Sequence, residues 1–569
     1  MVTKHNEIYQ QSINEYEGID DSNDSDKQVK FSASYSEQQV KNACLNFVTQ
    51  QSLPLTFFDS DGFKILTEQI FKGINMNAIT SNNIMSLVNE EETKLKRLIR
   101  KKLTNKIISL KMDSATRHDR SMFGVNAQII DKGKVEVFTL SMKEICVPQT
   151  AVNLKLEVEE VLREFNIAKK QIYTITTDNG RNMLKAVDML AETTQEETYA
   201  QNDSEETLLN LEEFENDFIA EHRNILSVKC AAHTLQLIVK DFLGKANIIS
   251  VVEKARQVVK TLRTPKCRQV LQMLNLGKPS LDVPTRWSST FLMIQKLLKY
   301  TEFCNEQLHR PLTDQEWGKL NDLLIILSPI HETTLKLQGE QLVMGECYKA
   351  WFELKVKLES LTTELSTTIL DCIKAREPNL LNAEVLNAAI FLDPRFRRLL
   401  PQNKKEEAKN HLKVLATQLN NLNQAERHPP QVAQASLESN VFIDETSNMS
   451  ASSLVRQTLR SLEVDSSSED ETPSVGSKFI LNSFAEIDTY REGRVDFDAN
   501  LLEYWEEKKY TFPFLKQLAD IVHAAPATEV SVERAFSALR LVLSDLRCNL
   551  SQDSLRSLMF VKLNKNVNK

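Results

Sequence analysis

Glycine is scarce in this 569-residue chain, 13 in all, and neither G-x-G-x-x-G nor G-x-x-x-x-G-K-[ST] occurs. The loops that cradle nucleotide phosphates therefore have no candidate, and no nucleotide cofactor is expected. The eight cysteines, at 44, 146, 230, 267, 304, 347, 372 and 548, include no C-x-x-C pair. That spacing speaks against a disulfide framework and against a structural zinc finger. Apolar runs such as 323–327 fall far short of the roughly 20 residues that a membrane span needs, and the polar opening MVTKHNEIYQ is no signal peptide. The expectation is a protein that is neither secreted nor membrane-embedded. An excess of positive charge is missing as well: 70 Lys+Arg against 78 Asp+Glu give a net charge of -8. The chain as a whole is no polybasic nucleic-acid wrapper, and any DNA binding must come from local patches.

What is present is a globular composition, 41% hydrophobic and 26% charged, with length for two to four domains. Residues 1–41, around EGIDDSNDSDK, read as a disordered acidic tail, and 42–105 as a helical lead-in with Phe57, Phe58, Phe63, Leu66, Ile70 and Phe71 as its buried side chains. Within it NEEETKLKRLIRKKLTNK carries Lys94, Lys96, Arg97, Arg100, Lys101, Lys102 and Lys106. This basic run reads either as a nucleic-acid face or as a solvated helix surface.

Strands are expected at 107–113, 121–130, 135–141 and 171–178, with Phe123, Val125, Ala127 and Ile129 alternating and Asp131 and Gly133 turning a hairpin. A helix over 152–165 separates the last two strands. Residues 191–221 hold eleven acidic residues and no Lys or Arg, the mark of a solvated loop inserted in a domain spanning 106–240. The pattern is helical through 241–426, turns acidic and Ser-rich through a linker at 427–477, and returns to apolar stripes in 478–569.

Two aspartates end predicted strands, Asp113 in SLKMDSAT and Asp178 in TITTDNGRNM. Carboxylates placed there point into the crevice beside a sheet, where a hard divalent ion could be held; strand-end aspartates also serve as turn formers, and Asp-Asn-Gly is a good turn by itself. Glu533, on an amphipathic helix starting near Thr528 or Ser531, could complete such a site or simply pair with a nearby Arg.

The string PATEVSVERAFSALRLVLSDLRCNLSQDSLRSLMFVKLN, preceded by Tyr504-Trp505 and Phe512-Pro513, resembles the C-terminal dimerisation region of hAT-superfamily transposases. Upstream, TTDNGRNM, KCAAHTLQLIV, DVPTRWSST and KMDSATRHDRSMFGVNAQIID resemble four further ordered blocks of that family. The resemblance implies an α/β plus all-α architecture: an RNase H-like catalytic domain interrupted by a large helical insertion, then a C-terminal helical dimerisation region. It implies that Asp113, Asp178 and Glu533 bind two Mg²⁺ or Mn²⁺ ions for DNA strand cleavage and transfer. By the same resemblance Arg286 and Trp287 contact DNA, Trp287 being alternatively a core residue. Cys230 and His233 support the site, and Trp505, Phe512, Phe536 and Leu539 serve dimerisation. The partners implied are DNA and a second copy of the chain, in the nucleus.

Departures accompany the matches. Ala115 stands where the family carries tryptophan, Arg117 where it carries serine, and no zinc-finger spacing of the BED type precedes Asp113. A nuclear protein that dimerises and binds DNA without catalysis is the competing expectation.

Overall fold

The chain is already helical at Glu37, inside the stretch read as an acidic tail. In the computed structural model, residues 34–117, 119–191, 225–283, 286–381, 384–427, 475–491, 493, 495–543 and 550–567 are described. The rest of the tail, nearly all of the 191–221 loop and most of the 427–477 linker lie outside them. Contacts divide the chain into two units, 1–87 and 88–569.

In the first unit, helix α1 (Glu37–Thr49) starts on a capping box in which Ser36 and Gln39 exchange side-chain-to-backbone hydrogen bonds. Helix α2 (Asp61–Gly73) starts on Ser60. Phe47, Phe57, Phe58, Phe63 and Phe71 pack ring against ring at 5.0–6.3 Å. Phe58, Phe63 and Phe71 are buried as expected, but Leu66 is 77% exposed. The row that turns inward is 63, 67 and 71, four residues apart, and Leu66 lies to its side.

The unit boundary falls inside α3 (Ile84–Leu103). The basic half of this helix is largely consumed by its neighbours. Lys96 pairs with Glu92 and Glu164, Lys102 with Glu136 at 2.8 Å, Lys106 just beyond it with Asp131 at 3.1 Å, and Arg100 donates to the Glu164 carbonyl. Lys94, Arg97 and Lys101 stay exposed, so the run is part solvated helix surface and part ion-paired to its own chain.

The second unit is mixed α/β and mostly helical, with one five-stranded sheet. Strands β1 (Ile108–Arg117), β2 (Arg120–Asp131) and β3 (Lys134–Glu144) form an antiparallel meander, and β4 (Ile172–Thr177) and β5 (Leu226–Lys229) add parallel to β1, in the order β3-β2-β1-β4-β5. The β2–β3 turn places Lys132 at φ 49° and Gly133 at φ 71°, the two left-handed residues that a tight hairpin needs. Two strand expectations change. β1 runs on to Arg117, because β2 continues to pair with it as far as Arg117↔Arg120. β5 was not anticipated, since four residues are too few to show an alternating pattern.

Helix α4 (Ala151–Glu164), capped by Thr150, buries Leu154, Val158, Val161 and Leu162. Helix α5 (Arg181–Ala191) follows β4, and α6 (Ala231–Leu243) follows β5. The described residues from 246 to 427 contain helices and turns and no strand, among them α7 (Trp287–Leu297), α8 (Asp314–Leu337) and α9 (Glu384–Leu392). The C-terminal helices α10 (Leu501–Glu507), α11 (Pro513–His523), α12 (Val530–Val542) and α13 (Gln552–Leu563) return to the sheet and to this helical block. On the edge strand, β3 has a bulge at Leu140. There the Asn564 amide accepts from the Thr139 N–H at 3.0 Å and donates to the Thr139 carbonyl at 2.8 Å, closing an edge that would otherwise be open.

Candidate active site

The β1–β4 register explains why two aspartates 65 residues apart meet. Ser109, Leu110 and Lys111 pair with Thr174, Ile175 and Thr176. Carried two residues further, the same register sets Asp113 beside Asp178. Asp113 is therefore mid-strand toward β2, where it faces Gly124, and past the end of the ladder toward β4. Asp178 keeps its turn-forming role too: Gly180 N–H donates to Asp178 Oδ1 at 2.9 Å, and a Cβ at Gly180 would lie 2.8 Å from that oxygen. Ser114 donates to Gln149 Oε1 at 3.0 Å while Asn182 donates to the Gln149 carbonyl at 2.8 Å, so one residue ties the two aspartate segments together.

The third element arrives from the C-terminus, fastened to the sheet by polar side chains at otherwise apolar positions. Gln128 donates to the Ala524 carbonyl at 2.9 Å, Thr176 to the Pro526 carbonyl at 2.5 Å, and Asn126 to Ser531 Oγ at 3.0 Å. Ala231 N–H donates to the Ala527 carbonyl at 2.8 Å. Neither Thr528 nor Ser531 caps α12 as expected. The Thr528 hydroxyl instead donates to the Leu337 carbonyl at the end of α8, where Arg534 also donates to the Gln338 carbonyl, meeting acceptors that a helix C-terminus leaves open. Tight packing completes the placement: a Cβ at Gly124 would stand 2.5 Å from Val532 Cγ1 and 2.9 Å from Met142 Cε.

This strap brings Glu533 and Glu529 to the aspartates. Burial, with repulsion from Asp178 and Glu533, pushes Asp113 up to about 7 despite the hydrogen bond that it accepts from Ser114 N–H. Crowding by protein raises Glu533 as well, although its side chain reaches solvent, and His233 and Arg286 hold it back down. Burial, then repulsion from Asp113, Asp178 and Glu533, pushes Glu529 up to about 9. Glu529 is 2% exposed, bonds to the Cys230 thiol, and has no partner for its Oε2. Lys111, 6% exposed and on the same strand face as Asp113, is lowered to about 7 by burial, with Cys230 opposing and Arg534 adding to the shift.

Sequence reasoning missed Glu529 and Lys111, although each had a signal: Glu529 is one helical turn before Glu533, and Lys111 is two residues before Asp113. Cys230 opens α6, its Sγ accepting from His233 N–H at 3.4 Å, and His233 and Arg286 are near enough to act on Glu533. Trp287 is 7% exposed, with its ring edge-on to His331 at 6.1 Å; it is the core residue of the two alternatives, not an aromatic face turned to solvent. The four residues expected to serve dimerisation differ in exposure. Trp505 is 1% exposed and donates to the Leu392 carbonyl, and Leu539 is 1% exposed among Met122, Met142 and Val542. Half-buried Phe512 packs edge-on against Tyr490, and half-buried Phe536 lies against the β2 backbone at Gly124. Trp505 and Leu539 are enclosed by their own chain, and Phe512 and Phe536 keep part of their surface exposed.

Among the described residues no three His, Cys, Asp or Glu side chains are close enough to cage a metal ion unaided. Asp178 and Glu533 act on Asp113 through their charge. Their chemistry nonetheless suits a hard divalent cation: the donors are all oxygen, and one is a buried oxygen with no protein partner.

Comparison with known proteins follows the same lines. Residues 486–564 match the hAT family C-terminal dimerisation region, and residues 228–324 match the ZBED1 RNase-like helical domain. The chain is 21% identical over 92% of its length to a Talaromyces stipitatus protein described as a transcriptional regulator, covering 62% of it. It is 24% identical over 59% of its length to a Zea mays protein described as an AC transposase, and 23% identical over 59% to human zinc finger BED domain-containing protein 4; it covers 43% and 29% of these. The chain thus spans less than two thirds of each of these relatives. These partial matches support reading the chain as hAT-superfamily transposase-like.

Proposed function

We propose that this protein binds DNA in the nucleus as a self-associating hAT-type transposase, whose RNase H-like core cleaves and transfers DNA strands with divalent cations. The reading is supported by the electrostatic action of Asp178, at the end of β4, and Glu533, on α12, upon Asp113 on β1. The strand order β3-β2-β1-β4-β5 supports the RNase H-like assignment. The stretch 225–310 supports the choice of substrate: it carries fourteen Lys or Arg and five Asp or Glu, so the polyanion would meet local positive charge despite the net -8.

Asp113, Asp178 and Glu533 would hold Mg²⁺ or Mn²⁺. When bound, such ions polarise a phosphodiester and lower the pKa of an attacking water or 3′-hydroxyl. The chain's own contribution is placement. Gly180 and Ser114 fix the two aspartates through their backbone N–H groups, Gln149 couples the segments, and Arg286 sets positive charge beside Glu533 where a phosphate would approach. Incubating the purified full chain with supercoiled plasmid DNA and Mn²⁺ tests this. Nicking that disappears in Asp178→Asn and in Glu533→Gln is expected; nicking that survives both would overturn the site.

A second reading, a nuclear regulatory protein that binds DNA and dimerises without catalysis, is favoured by the relative described as a transcriptional regulator, which matches most of the chain, and by Ala115 and Arg117 in the first motif. Specific DNA binding with no Mn²⁺-dependent nicking is its expected outcome.

A further inference from the structure

We infer that the exposed helix Pro265–Met273 is a docking surface for the chain's own acidic segment, residues 205–219, a contact that stands apart from the catalytic reading above. The surface joins two properties that are seldom left together in water. Residues 254–281 hold seven Lys or Arg and no Asp or Glu. Lys254 and Arg256 are engaged with Glu316 and Asp282. Arg263, Lys266 and Arg268 are exposed and form no ion pair among the described residues; Arg268 Nη2 donates to the Arg263 carbonyl at 3.4 Å, which sets these two side by side. On the same helix only Leu271 is buried, and Val270, Met273 and the following Leu274 are 40%, 72% and 55% exposed. Lys266, Val270 and Met273 are at i, i+4 and i+7, so a cation and two apolar side chains share one face.

A solvated helix would account for the cations but not for the apolar side chains among them. A DNA duplex would meet the cations through its phosphates and leave Val270, Met273 and Leu274 with little to cover them. An acidic segment that also carries apolar side chains answers both, and this chain has one: EETLLNLEEFENDFI at 205–219 holds six acidic and six large apolar residues and no Lys or Arg. Its charge complements that of the helix, and its apolar content sets it apart from a loop that is merely solvated. The tether allows the contact. Residues 191 and 225 flank the stretch and both are at β5, since α5, which ends at Ala191, packs against β5, which begins at Leu226. Residue 208, seventeen positions from each of them, can extend roughly 55 Å from either. The two helices between β5 and Pro265, of 13 and 17 residues, are about 20 and 26 Å long and pack against each other, which keeps the surface inside that radius. With the segment in place, Arg263, Lys266 and Arg268 are withheld from any other polyanion.

The test compares the full chain with a full-length variant in which 205–219 is replaced by a Gly-Ser stretch of equal length, using hydrogen exchange over 265–276 and the fluorescence anisotropy of a labelled peptide of sequence 205–219. Exchange over 265–276 is expected to be about threefold faster or more in the replaced variant, and the added peptide should bind that variant and restore the wild-type protection. Lys266→Glu and Met273→Ser, made in the replaced variant at exposed positions so that folding is retained, should each weaken peptide binding about tenfold, and a peptide with its six apolar residues changed to serine should lose binding to a like extent. Equal exchange in the two chains, or peptide affinity unmoved by Lys266→Glu and Met273→Ser, would overturn the inference. So would a duplex oligonucleotide that restores the protection where the peptide does not, which would assign the surface to DNA. Wild-type protection that fades on dilution would assign it to the segment of a second copy and overturn it likewise. Mn²⁺-dependent nicking by Asp178→Asn decides the catalytic reading and leaves each of these outcomes untouched.

Discussion

Asp113 and Gly124 face each other across the β1–β2 ladder, and the space above Gly124 is filled by Val532 of the glutamate-bearing helix. The absence of a side chain at one residue thus sets how near α12 comes to the carboxylate of the other. Gly124→Ala is expected to destabilise by roughly 1–3 kcal/mol through overpacking, since the new methyl would be 2.5 Å from a buried β-branched side chain. Urea unfolding measures that cost, and the variant should also show a smaller Mn²⁺-dependent rise in Tm than wild type. An unchanged unfolding midpoint would mean that α12 is not seated on the strand.

The carboxylate cluster should leave a mark on pH stability. Asp113 is raised from 3.8 to about 7, so the native state holds its proton more tightly than the unfolded chain. Stability from this group is full below pH 4 and is lost as pH rises through 7, at up to about 1.4 kcal/mol per pH unit. Lys111, depressed to about 7, and His523, depressed to about 4, act in the opposite direction, and Glu529 and Asp520 in the same one. The wild-type curve alone is therefore a sum. The difference between Asp113→Asn and wild type isolates the group: in EDTA the variant should gain relative stability steadily from pH 5 to 7 and hold it above. A pH-independent difference would contradict the burial of that carboxyl.

Leu539→Ala is expected to cost about 2–5 kcal/mol, the usual effect of emptying a packed aliphatic site, because Leu539 is enclosed by its own chain. Light scattering on the folded variant should give the wild-type mass. A halved mass with little change in unfolding free energy would show that this residue faces a second copy.

Asn564→Ala removes the side chain that both donates to and accepts from Thr139. Two buried backbone groups are then left without partners, at about 1–3 kcal/mol each. The β3 edge would also open, so the variant should aggregate faster than wild type on mild heating, as followed by turbidity.

Much of the sheet was legible because alternation in β2 and a two-residue turn at Lys132-Gly133 are local properties. Asp178 follows a readable strand pattern, whereas Asp113, read as a strand end, is mid-strand because β2 pairs with β1 on to Arg117. Burial was not. Trp287 and Trp505 are in the core because helices from distant parts of the chain cover them, and no window around either residue carries that information. Glu529 looked like one acidic residue among many. Its solitude follows from Gln128 and Thr176, which are some four hundred and three hundred and fifty residues earlier in the chain. Polar residues inside β2 and β4 were the available clue, because an otherwise apolar sheet face keeps such groups only when something docks on them.

The strap has a consequence in time. Gln128 and Ala524 are 396 residues apart in sequence, and at roughly 5–20 residues per second a ribosome takes on the order of 20–80 seconds to travel between them. From residue 178 to residue 524 the nascent chain carries both aspartates but neither glutamate. A growing or prematurely terminated polypeptide thus lacks part of the carboxylate cluster, which is complete only once residues 529–533 have been made.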